Sequence, residues 1–155
     1  MPIFGRFTQR AQQTMALAQR LAAELQMPYV GTEHILLALL KNEDSVPEAV
    51  AGRMNFESAQ AEIALQQPEE PEAAGGRIEL SPRAKKTLQT SILESHRLGH
   101  SFVTVEHLWL ALLGNDDGVA GALLRKAGVD LSAAREQILR MLRDNAAPGE
   151  TPRQG

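Results

Sequence analysis

Two segments of this chain are almost continuously apolar, and an amphipathic stripe precedes each. Ala11, Met15, Ala18, Ala22 and Leu25 follow one another at steps of four and three, which lays them along one face of a helix. Ala84, Leu88, Ser91, Ser95 and Leu98 repeat the stripe further on. Thr8 and Ser81-Pro82 stand just ahead and predict the helix starts, a hydroxyl N-cap in each and a proline at the first helical position in the second. The stripes run out in Gln26-Met27-Pro28-Tyr29 and Gly99-His100-Ser101-Phe102, where proline and glycine oppose continuation. The next helices begin at Gly31/Thr32 and at Thr104. They are apolar nearly all round, so they must be buried. Start and stop signals place two shorter helices after each, at about 45–54 with about 56–66 and at about 117–127 with about 131–144. The Ala127-Gly128-Val129-Asp130 turn separates the last pair. The pattern gives eight helices and no strand.

The two halves are copies, offset by 73 positions. Val30-Gly31-Thr32-Glu33-His34-Ile35-Leu36-Leu37-Ala38-Leu39-Leu40 returns as Val103-Thr104-Val105-Glu106-His107-Leu108-Trp109-Leu110-Ala111-Leu112-Leu113, with seven of eleven pairs identical. The register holds outside that segment. Arg10-Ala11, Thr14 and Leu25 answer Arg83-Ala84, Thr87 and Leu98, and Asn42, Asp44, Val46 and Ala49 answer Asn115, Asp117, Val119 and Ala122. The fold class expected is all-α, two tandem four-helix repeats packed with pseudo-twofold symmetry, so that a pocket made by one copy recurs in the other. Residues 1–66 form the first repeat and 78–145 the second. The acidic Pro/Gly-rich stretch 67–77 between them is a linker, and 146–155 is a flexible tail or a linker to a further domain.

Composition narrows the function. The 155 residues are 43% hydrophobic but only 4% aromatic, which suits Ala/Leu-rich helix packing. A net charge of −3 and a pI near 5.8 argue against nucleic acid as a partner. There is no cysteine, hence no disulfide framework, and a reducing compartment is the natural home. The opening Met1-Pro2-Ile3-Phe4-Gly5-Arg6-Phe7 has no apolar core of a signal peptide. The longest apolar run, Ile35 to Leu40, falls far short of the roughly 20 residues that span a bilayer. A cytoplasmic protein with no membrane partner is expected. The chain lacks GxxxxGK[ST], GxSxG and HExxH, so neither an ATPase nor a hydrolase signature is present. His96 and His100 are four apart, but Gly99 marks a helix end between them and no third ligand stands at metal spacing. No catalytic residue, metal or cofactor is expected.

The polar residues that recur are few. Glu33 and Glu106 fall in the first turn of the buried helices, where the macrodipole favours a carboxylate and free amides can be capped. That explains both without a ligand. His34 and His107, directly before the apolar run, read as satisfied, half-buried histidines. Thr8 and Ser81 serve as plain N-caps, or as hydroxyls beside helix N-terminal amides that would take an anion. Arg83-Ala84-Lys85-Lys86 after Ser81 is a solvated basic face by default, and it keeps an anion-docking reading open.

These motifs resemble the N-terminal domain of the Clp/Hsp100 AAA+ unfoldases, and the ClpC branch above all. The resemblance is carried by Phe4-Gly5-Arg6-Phe7-Thr8, Gly31-Thr32-Glu33-His34-Ile35-Leu36-Leu37, Ser81-Pro82-Arg83-Ala84-Lys85-Lys86 and Thr104-Val105-Glu106-His107-Leu108, and it covers residues 3 to about 145 in order and spacing. It implies a domain that docks protein clients and adaptor proteins for an ATPase ring, which threads them into the ClpP protease. In ClpC it further implies a receptor for proteins marked by phosphoarginine. There the acids of the GTEH motifs read the guanidinium and nearby helix starts take the phosphate. Carried over, the ligand-binding positions are Glu33, Glu106, Thr8 and Ser81. A carboxylate suits the guanidinium fork and a helix start suits the phosphate. The copies are unequal, since Gly31-Thr32 faces Thr104-Val105, so the Glu33 pocket is expected to follow the ClpC pattern and the Glu106 pocket to be altered. Two other readings remain open. One is a free-standing repeat protein that sequesters clients or regulates the unfoldase without an ATPase of its own. The other is a hydrolase using the Glu-His pairs as acid–base couples.

Overall fold

A computed structural model describes residues 6–65, 79–114 and 118–145. The linker read at 67–77 and the tail read at 146–155 lie outside the described residues, as do Asn115 and Asp117. The first half folds into α1 (Gln9–Glu24), β1 (Tyr29–Val30), α2 (Thr32–Lys41), α3 (Glu48–Ala51) and α4 (Phe56–Ala64). The second gives β2 (Glu79–Leu80), α5 (Pro82–Arg97), α6 (Val105–Gly114), α7 (Val119–Lys126) and α8 (Leu131–Asn145). The fold is all-α in character, as the pattern of stripes predicts.

The long helices begin where the hydroxyls stand. Thr8 Oγ1 accepts from the Ala11 amide and Ser81 Oγ from the Ala84 amide, each at 3.1 Å. Such a cap stabilises a helix by about 1 kcal/mol. Ala11, Met15, Ala18 and Ala22 of α1 are buried, and so are Ala84, Leu88, Ser91 and Ser95 of α5. Leu98 is not: it stays 39% exposed, having already left the helix as the C-cap of α5. Helices α2 and α6 form the centre, with every residue from Thr32 to Leu40 and from Val105 to Leu113 buried. Helix α1 packs on α2 as α5 packs on α6, and α4 covers α2 as α8 covers α6.

Two readings from the sequence need correction. The stretch at 45–54 is not one helix. A 3-10 turn at Glu43–Ser45 ends at Val46, which is extended, and α3 starts only after Pro47. A proline forces its predecessor out of the helical region, and that is the break. The chain also has strands where none was expected. β1 pairs with β2 in parallel, Tyr29 with Glu79 and Val30 with Leu80, and an isolated parallel bridge joins Phe7 to Val103. Two residues are too few to show an alternation.

These pairings place the two halves. Phe7 and Leu80 are equivalent by the offset of 73, as are Val30 and Val103. Phe7 of the first copy therefore meets Val103 of the second, while Leu80 of the second meets Val30 of the first. Such reciprocity is what a twofold relation produces. The repeats also interlock. The Ala120 amide at the start of α7 donates to Thr32 Oγ1 at 3.1 Å, and the Ala49 amide of α3 donates to Gln137 Oε1 of α8 at 2.8 Å. One continuous apolar cluster runs from Phe7 to Leu142 through both.

Candidate functional site

The helix starts that carry the site residues meet crosswise. The Ser81 amide donates to Val30 O at 2.9 Å, and the Thr8 amide to Val103 O at 3.0 Å. Three residues beyond Val30 lies Glu33, in the first turn of α2; three beyond Val103 lies Glu106, in the first turn of α6. The start of α5, capped by Ser81, thus stands beside the start of α2, and the start of α1, capped by Thr8, beside that of α6. Each acid shares its end of the molecule with the hydroxyl of the other repeat. Thr8 and Ser81 are half-buried. Each hydroxyl oxygen already accepts an amide and keeps its O–H to donate. The helix starts differ by one donor, because Pro82 has no N–H where the first copy has Gln9.

Glu33 is 6% exposed and Glu106 8%. Among the described residues neither carboxylate forms an ion pair. Burial pushes the Glu33 carboxyl above its ordinary value, and a hydrogen bond from its own backbone amide opposes this only in part. A desolvated acid without a cation is poised to gain one. Gly31 makes room for it. A Cβ at position 31 would overlap Oε1 of Glu33 and lie 3.0 Å from its Cδ. In the second repeat Thr104 occupies the corresponding place, its hydroxyl 3.0 Å from His107 Nδ1.

The histidines are more buried than the sequence implied, at 0% exposure each. The Gly31 amide donates to His34 Nδ1 at 2.8 Å and the Thr104 amide to His107 Nδ1 at 2.9 Å. Those bonds fix the tautomer, so both rings carry their proton on Nε2. His107 Nε2–H donates to His100 Nδ1 at 2.8 Å. His34 Nε2 has no partner among the described residues. Of the pair, then, only His107 is satisfied. Burial lowers His34 to about 4, and burial with a smaller contribution from the neighbouring His100 lowers His107 to about 4. Two neutral, inward-facing rings are poor acid–base catalysts near neutrality, which removes support from the hydrolase reading.

Sequence reasoning weighed His100 only as a metal ligand and read Gly31 only as a point where the copies differ; it missed His100 as the partner of His107 and Gly31 as the residue whose missing Cβ admits the Glu33 carboxylate. The signal for both was in the places where the repeats disagree: Gly31 against Thr104, and Met27 against His100.

The chain matches the Clp repeat N-terminal domain family over residues 6–107 and again over 79–154. It belongs to that family. The N-domain is 38% identical over 150 residues to ClpC/MecB of Bacillus subtilis, named a negative regulator of genetic competence, covering 92% of this chain and 18% of that protein. It is 37% identical over 158 residues to the chaperone ClpB of Oceanobacillus iheyensis, covering 99% of this chain and 19% of that protein. The N-domain therefore spans about a fifth of the length of these relatives. Among solved structures, it resembles the N-terminal domain of the chaperone ClpD from Arabidopsis thaliana, with a TM-score of 0.78, 24% identity and 92% and 97% of the two chains covered. It also resembles the Hsp104 N-terminal domain of Candida albicans, with a TM-score of 0.73, 18% identity and 88% and 91% covered. Among the described residues no helix is long and apolar enough to cross a membrane.

Proposed function

We propose that this N-domain is the docking module of a ClpC-type, ATP-dependent unfoldase in the cytoplasm. It takes protein clients and adaptors for an ATPase ring that feeds ClpP, and it does so in part by reading phosphoarginine. One observation supports the reading: the backbone leading into an acid-bearing helix of one repeat is hydrogen-bonded to the hydroxyl-capped helix start of the other, twice over. Glu33 with Ser81 makes one pocket and Glu106 with Thr8 the other. A phosphoarginine presents a planar cation and an anion on one side chain. The carboxylate takes the guanidinium, while the hydroxyl and the helix start take the phosphate. Lysine lacks the fork, and unmodified arginine lacks the phosphate. Charge-assisted hydrogen bonds contribute about 1.5–3 kcal/mol each, so losing one acid decides whether so small a ligand is held.

Calorimetric titration with free phosphoarginine, and with arginine as control, tests this. Wild type should show two sites, and Glu33→Ala and Glu106→Ala one each. Ser81→Ala should weaken the site that Glu33→Ala removes, and Thr8→Ala the site that Glu106→Ala removes. If Ser81→Ala instead weakens the Glu106 site, the crosswise assignment is wrong. If wild type takes up no phosphoarginine, the module docks clients by some other chemistry.

A further inference from the structure

We infer that Gly31 is a positioning residue for the Glu33 pocket, and that its replacement by Thr104 in the second repeat makes the Glu106 pocket the weaker receptor. The inference rests on the phosphoarginine reading above and deepens it, by assigning unequal roles to the two sites.

The two helix starts have matching backbones. His34 and Ile35 donate to Gly31 O at 3.1 and 3.3 Å, and His107 and Leu108 donate to Thr104 O at 3.1 and 3.2 Å. The bonds from Gly31 and Thr104 to the histidine Nδ1 atoms match as well. What differs is the space over the N-cap. In the first repeat the Glu33 carboxylate folds back into it, where a Cβ would sit 3.0 Å from Cδ and 3.2 Å from Oε2 and would overlap Oε1. In the second repeat the side chain of Thr104 fills that space and bonds to His107. Glu106 is barred from the place that Glu33 takes.

The consequence for a ligand is preorganisation. Held at the entry of α2, beside the strand pair that brings in Ser81, the Glu33 carboxylate need not be ordered when a guanidinium arrives. It is also desolvated and has no cation beside it among the described residues, so a cation gained there replaces little water. A carboxylate displaced by a Cβ must be gathered back from another rotamer before it can bind.

Gly31 permits a clean experiment because its backbone is extended, with φ −103° and ψ 179°, a conformation open to any residue. The atoms nearest to an alanine Cβ there are the carboxylate end of Glu33, which can rotate away to another rotamer, so the Gly31→Ala protein should fold. Two measurements decide. The first is the Glu33 carboxyl titration, followed by carbon NMR in wild type and Gly31→Ala. It should move from its elevated position towards the ordinary carboxylate range. The second is phosphoarginine affinity in a Glu106→Gln background, where only the first pocket is left. Adding Gly31→Ala should weaken binding roughly tenfold to a hundredfold, the value of one charge-assisted hydrogen bond. Conversely, Thr104→Gly in a Glu33→Gln background should tighten the second pocket. An unchanged Glu33 titration in Gly31→Ala overturns the inference whatever happens to binding. An unchanged affinity with a shifted titration overturns its ligand half. If wild type itself fails to bind phosphoarginine while the titration still shifts, the receptor reading falls and only the positioning of Glu33 by Gly31 stands.

Discussion

His107 donates its buried Nε2–H to His100 Nδ1 at 2.8 Å, whereas the Nε2–H of His34, its counterpart in the first repeat, has no acceptor among the described residues. The rings are otherwise set alike, each bonded through Nδ1 to the backbone amide three residues earlier. The difference lies one connector upstream, where Met27 stands in the first copy and His100 in the second. A buried donor left unpaired costs about 1–3 kcal/mol. The first repeat carries that cost and the second avoids it. Duplication has preserved the Glu-His pair while letting its support diverge.

Acid should act on both repeats at once, and it is the largest effect. An unfolded histidine titrates near 6.5, while His34 and His107 in the fold titrate near 4. Between those values the unfolded chain binds more protons, so stability present above pH 6.5 is lost as pH falls towards 4. Each shift corresponds to about 3 kcal/mol, or about 6 for the pair. That is a large part of the roughly 5–15 kcal/mol that holds a domain folded. Urea midpoints measured from pH 7.5 to 4.5 should fall steeply across this window, and a flat profile would contradict the burial of the rings. Glu33 works with the opposite sign. Its raised carboxyl makes the fold the better proton binder, so its contribution declines as pH rises from 4.5 through the raised value. Glu33→Gln should therefore be more stable than wild type at neutral pH, with the gap closing in acid.

Exchanging the connector residues sharpens the comparison. His100→Met gives the second repeat the side chain of the first and orphans His107 Nε2, which should cost about 1–3 kcal/mol in urea unfolding. Met27→His offers His34 an acceptor and should return about 1 kcal/mol if the ring reaches Nε2. Equal and negligible effects from both would mean that neither proton matters to stability.

What could be read from the sequence follows from the length of each signal. The stripes of α1 and α5 span several turns, and the runs of α2 and α6 leave no polar face, so their burial was legible. The caps at Thr8 and Ser81 were legible from residue type and position. The crosswise join was not: it depends on strand pairs two residues long, and no periodicity can announce them. The interlock of Thr32 with the Ala120 amide, 88 positions away, likewise leaves no local trace. The site residues were picked out because they recur. Which hydroxyl-capped helix start stands beside which acid-bearing one is a property of the packed pair of repeats, and a single repeat read alone does not show it.

The smallest contrast lies at the ends of α1 and α5. Both close with the same pair of backbone bonds: the Met27 amide to Ala22 O and the Gln26 amide to Ala23 O in one, the His100 amide to Ser95 O and the Gly99 amide to His96 O in the other. That pattern requires a left-handed residue just past the helix. The second copy uses Gly99 at φ 77°, and the first places Gln26 there at φ 58°. A residue with a Cβ pays about 1–2 kcal/mol in that region, and glycine recovers it less about 0.5–1 kcal/mol of extra unfolded-chain entropy. Gln26→Gly should therefore stabilise the domain by about 0.5–1 kcal/mol, and Gly99→Gln should destabilise it by a similar amount. Gln26 is exposed and Gly99 has open space around its Cβ position, so no packing term obscures the backbone one. If Gln26→Gly lowers the unfolding midpoint instead, the Gln26 side chain makes a contribution that the left-handed cost does not outweigh, and the two helix ends are less alike than their hydrogen bonds imply.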